Sequence, residues 1–164
     1  MYSAIDVARY IIKYSNESKY IISNLKLQKL LYFVQAYFLI KKDKPAFSDK
    51  IEAWEFGPVI PTVYREFQLY GSGNIPIVSR LVLPDPDNVW NFYREDYSNI
   101  KISEEDKKLI CDIVDELSEY SAVGLMKLTH DQNPWINAYS PQELNEITTE
   151  SIKEYFANDN GISL

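Results

Sequence analysis

The single cysteine and the single histidine are the residues of this chain best suited to nucleophilic or metal chemistry. Cys111 and His130 lie 19 residues apart. A zinc site needs several such ligands to converge, so structural zinc is effectively excluded. A Cys–His nucleophilic pair stays open, because such groups meet in space rather than along the sequence. Cys111, however, lies among apolar residues of a predicted helix, a position typical of an inert core cysteine.

No cofactor is expected from the glycine and charge patterns. None of the five glycines forms a GxGxxG or GxxxxGK[ST] loop, so a phosphate-binding loop is not predicted. The formal net charge of -7 argues against general affinity for nucleic acid. A DNA-binding helix pair near the N-terminus is a minor alternative, since the intervening turn is longer than that of a helix-turn-helix.

Neither membrane insertion nor export is expected. The sequence has no apolar run of about 18 residues, and its N-terminus is amphipathic rather than built like a signal peptide. A single cysteine rules out an internal disulfide, which agrees with a reducing compartment. We therefore expect a cytoplasmic protein.

Two compositional features bear on binding. Thirteen tyrosines and three tryptophans are many for 164 residues, and such rings either fill a small core or provide an interface. Residues 1–44 carry eight basic and three acidic side chains, a net charge of +5, whereas the rest of the chain carries -12. This polarity would steer a charged partner to one side, or it reflects solvated helix faces.

The N-terminal elements are predicted from periodicity and caps. Residues 4–14 form one apolar helical stripe behind Ser3 as N-cap. A second helix over 24–42, capped by Asn24, is apolar on almost all sides, which is typical of a central helix.

The remaining elements are shorter. An extended segment is predicted over 51–56, then a helix from Pro61 to about Tyr70 that Gly71 ends. Residues 72–99 are predicted as a loop with a short strand at 77–83. Further helices are expected over 104–119, 122–130 and 150–158, the second stopping before Asn133-Pro134. The prediction is a mostly α fold: a single compact helical domain over 1–164, with five to seven helices around the 24–42 helix and a short extended segment or small hairpin.

Three stretches carry a family resemblance. They are SNLKLQKLLYFVQAYFL (23–39), IEAWEFGPVIPTVYREFQLYG (51–71) and LTHDQNPW (128–135). In sequence, order and spacing they resemble the Panacea domain family of SocA-like antitoxins, which includes phage-associated proteins. The resemblance extends from about Ala4 to about Phe156.

The motif residues predict a structural scaffold rather than a catalytic site. A tryptophan ring, a Gly-Pro turn, a helix-starting proline and a His/Trp corner are architectural features, and none resembles a nucleophile with its base. These structural positions are Trp54, Gly57, Pro58, Pro61, His130 and Trp135.

The resemblance implies an antitoxin that neutralises a cognate protein toxin by direct binding, and not an enzyme. Two alternatives stay open. One is a proteolytic adaptor that delivers the toxin to a cytoplasmic protease. The other is a small hydrolase, which would need Cys111 or His130 exposed in a cleft beside a perturbed partner.

Partner-contact residues are expected mainly in the basic N-terminal region. Exposed lysines beside tyrosines would combine charge with aromatic anchors. The first choice is Tyr14, Lys19, Tyr20, Lys26 and Lys29, and the second choice is Tyr64, Arg65 and Tyr70.

Overall fold

The computed structural model describes residues 1–77 and 101–158, and the backbone alone of residues 80–85 and 88–96. Over these residues the chain forms seven α-helices, a 3₁₀ turn over Gln68–Tyr70 and two antiparallel hairpins. The helices are α1 (Ala4–Glu17), α2 (Asn24–Lys42), α3 (Pro61–Phe67), α4 (Glu104–Glu116), α5 (Ala122–His130), α6 (Asn133–Ala138) and α7 (Thr149–Ala157). The strands are β1 (Glu52–Trp54), β2 (Gly57–Val59), β3 (Arg80–Asp85) and β4 (Asn88–Asp96). The mostly α prediction is confirmed.

Helix α2 is the centre of the fold, as its all-round apolar pattern predicts. It contacts α1, α3, α4, α5 and α7 as well as β2. Tyr32 and Phe33 are fully buried and meet Phe156 of α7 edge to face, with ring centroids 6.0 and 6.1 Å from that of Phe156. Such ring pairs add to the free energy of apolar burial.

Most predicted helix starts are confirmed by their side-chain caps. The hydroxyl groups of Ser3, Ser103 and Ser121 accept hydrogen bonds from backbone N–H groups three residues later. Pro61 begins α3 at its first turn, where a missing N–H costs nothing. These local rules need no tertiary information.

The predicted cap of α2 is wrong by one residue. Ser23, not Asn24, has extended backbone angles, and its hydroxyl accepts from the N–H of Lys26. The amide of Asn24 instead donates to the carbonyl of Tyr64 and accepts from Gln28. Ser23 therefore caps the helix, while the side chain of Asn24 is held by the distant carbonyl of Tyr64 and by Gln28.

The extended segment near 51–56 is a hairpin. Trp54 of β1 lies opposite Gly57 of β2, with a two-residue turn between them. The other edge of β1 is covered, because the N–H of Ala53 donates to Asn145 and the N–H of Ile147 donates to Ile51. This coverage leaves the edge unavailable for pairing with another strand.

Two further predictions are wrong in part, and one helix was not predicted. Residues 72–99, predicted as mostly loop, contain the β3–β4 hairpin, whose nine-residue second strand includes Trp90, Phe92 and Tyr93. Tyr97 lies outside the described residues. Helix α1 continues to Glu17 instead of ending near residue 14. Helix α5 ends at His130 as predicted, but Asn133-Pro134 then begins a further helix, α6, that was not predicted. Strand pairing depends on a distant partner, and a proline at a first helical turn starts a helix as readily as it ends one.

None of the helices in the described part of the chain has the length and apolar character needed to cross a bilayer.

Candidate partner-binding surface

Polar side chains of α2 join the three family stretches. Gln28 accepts a hydrogen bond from the N–H of Ile60 at 2.9 Å, and the Lys29 ammonium donates to the carbonyl of Pro58 at 2.8 Å. Both side chains are buried. They satisfy backbone groups of the β2 strand and its exit, which would otherwise be buried without partners.

The third stretch is joined in the same way. The hydroxyl of Tyr32 donates to the side-chain oxygen of Gln132 at 2.9 Å, and both residues are buried. The indole N–H of Trp135 donates to the carbonyl of Trp54 at 2.9 Å. The residues of α2, the β1–β2 hairpin and α5–α6 therefore form one hydrogen-bonded corner.

Lys29 is the most unusual residue of this corner, because it is a fully buried amine. Burial lowers the pKa of Lys29 to about 7. Gly57 lies against it with a φ of +92°, and a Cβ on Gly57 would stand 2.9 Å from the Lys29 nitrogen and 2.8 Å from the Thr129 hydroxyl oxygen. Space and backbone angle both require glycine here.

Stacked rings form the outer side of the corner. The His130 and Trp135 rings stack with centroids 4.0 Å apart, and Tyr139 stacks on the other side of Trp135 at 4.5 Å. Tyr64 packs edge-on against Trp54 at 5.0 Å. Of the predicted structural residues, Trp54, His130 and Trp135 thus share one corner, with Gly57 and Pro58 beneath it.

The two side chains suited to nucleophilic chemistry have different surroundings. The Cys111 sulfur lies 3.3 Å from the Tyr10 hydroxyl, and burial raises the pKa of the thiol. His130 contacts the Trp135 ring, and burial, followed by the charge of Lys29, lowers the pKa of the imidazole. A raised thiol pKa is the opposite of what a cysteine nucleophile requires.

His130 has a second feature that the sequence did not indicate. Its Nε2 atom is buried and has no hydrogen-bond partner within the described residues. In the same part of the chain, no group of three or more His, Cys, Asp or Glu side chains is arranged to hold a metal ion. The imidazole is therefore one ring of a stack and not part of a described ligand set.

Two of the predicted contact residues are not exposed as expected. Lys29 is fully buried, and Lys26 is 8% exposed, with its ammonium donating to the carbonyl of Ser118 at 2.9 Å. Both lysines point into the fold, where their side-chain nitrogens donate hydrogen bonds to backbone carbonyl oxygens that would otherwise be buried without a partner. The expectation that Lys26 and Lys29 are exposed is wrong.

A groove lies beside the remaining first-choice residues. Lys19 and Tyr20 line a cavity of about 520 Å³, with Lys26 along the same groove. Residues of the segment between α4 and α5, including Tyr120, also line this cavity. Ile21 also lines the groove and is 73% exposed. Contact of these residues with a partner stays a prediction.

Tyr14 connects α1 to α4 through a hydrogen bond. Its hydroxyl donates to Asp115 of α4 at 2.7 Å, and this hydrogen bond raises the pKa of Tyr14 to about 12. A hydrogen bond to the same carboxylate raises the pKa of Tyr20. The two phenols thus position the α1–α2 connection against α4.

The second-choice residues lie on α3 and the turn after it. Arg65 is exposed, Tyr64 is half-buried against Trp54, and Tyr70 is half-buried against the core. Their partner contacts also stay predictions.

Sequence reasoning missed the buried amides. Gln28 and Gln35 are one heptad apart on α2, and Gln35 holds the backbone of Ala46 and Phe47 through both of its side-chain atoms. Glutamines at core positions of an otherwise apolar helix are the signal that identifies such residues, since a buried amide needs partners.

Residues 27–136 match the family described as Antitoxin SocA-like, Panacea domain. The chain belongs to this family. The match runs from α2 into α6, so apart from Tyr139 it contains the whole corner formed by α2, the β1–β2 hairpin and α5–α6, which we call the Panacea corner. A single domain over the full 1–164 stays a prediction.

One curated relative shares a shorter stretch. Antitoxin SocA of Caulobacter vibrioides (strain NA1000 / CB15N) is 48% identical over 64 residues, which is 39% of this chain and 33% of that relative. The matched stretch thus spans about a third of the length of that relative. No solved structure matches the chain.

Proposed function

We propose that this protein is an antitoxin that neutralises a cognate protein toxin by direct binding in the cytoplasm. Membership of the SocA-like antitoxin family carries the proposal. The matching relative is itself named an antitoxin, which supports it. The groove beside Lys19 and Tyr20, with an exposed isoleucine, offers a surface of the kind that protein partners use.

The test uses the reading frame next to this gene as the candidate toxin. Induction of that reading frame alone should stop growth, and co-expression of this protein should restore it. The two proteins should then co-purify as a complex. Growth arrest that this protein does not relieve, with both proteins present in the cell, contradicts the proposal.

Toxin abundance separates occlusion from proteolytic delivery. An antitoxin that acts by occlusion leaves the amount of epitope-tagged toxin unchanged during rescue, whereas an adaptor lowers it. We expect unchanged toxin on immunoblots. Rescue that occurs only with falling toxin levels would identify the adaptor alternative instead.

Rescue is also expected to be independent of Cys111 and His130. The double variant Cys111→Ala, His130→Ala should protect cells as the wild type does, because binding needs neither a thiol nor an imidazole. Colony counts under toxin induction measure this. A double variant Cys111→Ala, His130→Phe keeps a ring against Trp135 and serves as the folding control. Loss of rescue in both variants, with native circular dichroism, would favour the hydrolase alternative.

A further inference from the structure

A cavity of about 330 Å³ lies between the β1–β2 hairpin and the segment that follows α6. Ala53, Trp54 and Glu55 line it from the hairpin, and residues 139–144 line it from that segment. A cavity of this size admits one long side chain of a partner. None of the contact residues predicted from the sequence lines it.

Hydrogen bonds hold the two walls of this cavity in place. The indole N–H of Trp135 donates to the carbonyl of Trp54 at 2.9 Å. The N–H of Ala53 donates to the carbonyl of Asn145 at 2.9 Å, and the side-chain amide of Asn145 donates to the carbonyl of Ala138 at 3.0 Å. Because the walls are already fixed, a ligand pays little to order them.

The charged side chains that line the cavity are carboxylates. They are Glu55 and Glu143, and no lysine, arginine or histidine joins them among the described residues. Neither forms an ion pair in that part of the chain, and the hydrogen bond from Asn145 to Glu143, at 3.2 Å, leaves the negative charge in place. Lys50, which precedes β1, already pairs with Glu146 at 3.1 Å. The cavity therefore attracts a cation.

Two basic groups near the hairpin carry reduced positive charge. Lys29 is fully buried and does not line the cavity. Burial lowers the pKa of Lys29 to about 7, and burial, followed by the charge of Lys29, lowers the pKa of His130. Slightly above neutral pH both groups are therefore mainly uncharged, and the carboxylates determine the charge of this surface.

Two aromatic side chains, Trp54 and Tyr139, also line the cavity. Tyr139 is the last ring of the stack, and Trp135 covers one of its faces at a centroid distance of 4.5 Å, which leaves the opposite face for a ligand. Ring faces attract cations, and a planar guanidinium group stacks on them. Carboxylates bind the same group through paired hydrogen bonds. Rings together with carboxylates favour arginine as the ligand.

Exposed apolar side chains beside the cavity indicate that this arginine belongs to a protein. Leu144 lines the cavity and is 69% exposed. Phe56 follows Glu55 in the hairpin turn and is 58% exposed. Apolar groups around a buried arginine are typical of protein–protein interfaces, whereas a free cation would leave them in water.

We propose that the cavity between the β1–β2 hairpin and residues 139–144 binds one arginine side chain of the toxin, with its guanidinium group beside Glu55 and Glu143 and against the Tyr139 ring. This inference rests on the proposed function, since the toxin is the partner. It places a contact surface on the opposite side of Trp54 from the buried corner residues Gly57 and Lys29 only in the sense of chain order, and the test below depends on the cavity residues alone.

The binding test uses isotope-labelled full-length protein and a short peptide, Ser-Gly-Arg-Gly-Ser, with blocked termini. A matched peptide has citrulline, the uncharged isostere of arginine, at its centre. At about pH 8, where Lys29 carries little positive charge, the arginine peptide should shift the NMR signals of the Trp54 indole N–H and of the Glu143 and Leu144 amides. The citrulline peptide should not. Equal shifts with both peptides, shifts confined to other residues, or no shifts at all overturn the proposal.

Charge reversal tests the two carboxylates. The variant Glu55→Lys, Glu143→Lys should raise the Kd for the arginine peptide about tenfold or more at low salt. The variant Glu150→Lys, Glu154→Lys on α7 makes the same change of charge outside the cavity and should leave the Kd within about twofold. Equal weakening by both variants would mean attraction to the whole protein rather than to this cavity, and overturns the proposal.

The ring has its own pair of variants. Tyr139→Phe keeps a ring and should leave the Kd unchanged, whereas Tyr139→Leu should raise it about threefold. Native circular dichroism of both variants shows that the stack on Trp135 is not needed for folding. A folded Tyr139→Leu variant that binds like the wild type overturns the role of the ring. Self-association of the wild type that Glu55→Lys, Glu143→Lys abolishes would make a second copy the occupant and also overturns the proposal.

The same charge variants in the growth assay separate this inference from the proposed function. Glu55→Lys, Glu143→Lys should lose protection against the toxin, and Glu150→Lys, Glu154→Lys should keep it. Protection by the wild type and by both variants overturns the arginine cavity and leaves the antitoxin function standing. A wild type that binds the arginine peptide but never protects cells overturns the toxin as partner and the proposed function with it.

Discussion

Replacing Gly57 with alanine should lower the free energy of unfolding by about 3–5 kcal/mol. The residue has a φ of +92°, which side chains rarely adopt. Its new methyl carbon would stand 2.8 Å from the Thr129 hydroxyl oxygen and 2.9 Å from the Lys29 nitrogen. Both neighbours belong to the Panacea corner and are fully buried, so neither moves aside cheaply. Urea unfolding followed by circular dichroism measures the loss.

Gly71 provides the matched control. It also has a positive φ, +54°, but a Cβ there would meet nothing within 4 Å. Gly71→Ala should therefore show the backbone penalty alone, about 1–2 kcal/mol. Equal losses in the two variants would mean that the corner relaxes around the methyl group and that packing does not require glycine at position 57.

Raising the pH should stabilise the wild-type protein more than a Lys29→Met variant. The pKa of Lys29 is lowered by burial from its ordinary value of 10.5 to about 7. The unfolded chain therefore binds this proton more tightly than the folded protein does. The stability contributed by this residue is full above about pH 10.5, is lost as the pH falls towards 7, and changes little below that.

The expected size of this effect is about 2 kcal/mol. Between about pH 8 and about pH 9.5, the free energy of unfolding of the wild type should rise by that amount relative to Lys29→Met. The titration of other groups is common to both proteins and cancels in the difference. At pH 8 the variant should also be the more stable protein, since it avoids deprotonating a buried amine, although the Pro58 carbonyl loses its donor.

Gln28→Met is the control for the pH experiment. Gln28 is adjacent, buried and hydrogen-bonded to the same strand region, but its amide does not titrate. Its difference from the wild type should stay constant with pH. Parallel pH profiles for the wild type and Lys29→Met would show instead that Lys29 keeps an ordinary pKa and reaches water.

The basic N-terminal region shows why net charge along a sequence is a poor guide to a surface. Residues 1–44 carry a net +5, and counting alone gives them a basic face. Arg9, Lys26 and Lys42 each contact a group more than 50 residues away. Such distant pairs are decided by which helices pack together, and this packing leaves carboxylates exposed on α4.

The aromatic residues divide between the two roles that the composition left open. Tyr32 lies in the core and hydrogen-bonds to Gln132, while Tyr20 and Tyr120 line the groove. Their neighbours along the chain do not distinguish them, because a half-polar ring fits either environment. Only the position of each helix face decides which tyrosines stay near solvent.

The sequence by itself determined the parts of this protein that depend on local physics. The 3.6-residue period placed α2 at the centre, Ser3 marked the start of α1 through its hydroxyl group, and Pro61 began α3. The three motif stretches also identified the Panacea family, which the match over residues 27–136 confirmed.

The contacts between those elements were decided by the tertiary structure alone. It buried Lys29 against Gly57, assigned Gln28 and Gln35 to distant backbone groups, paired β3 with β4, and placed Ile21 and Glu119 along one groove. Each of these depends on contacts between residues far apart in the chain, and their free energy is set by burial and geometry that no local pattern contains.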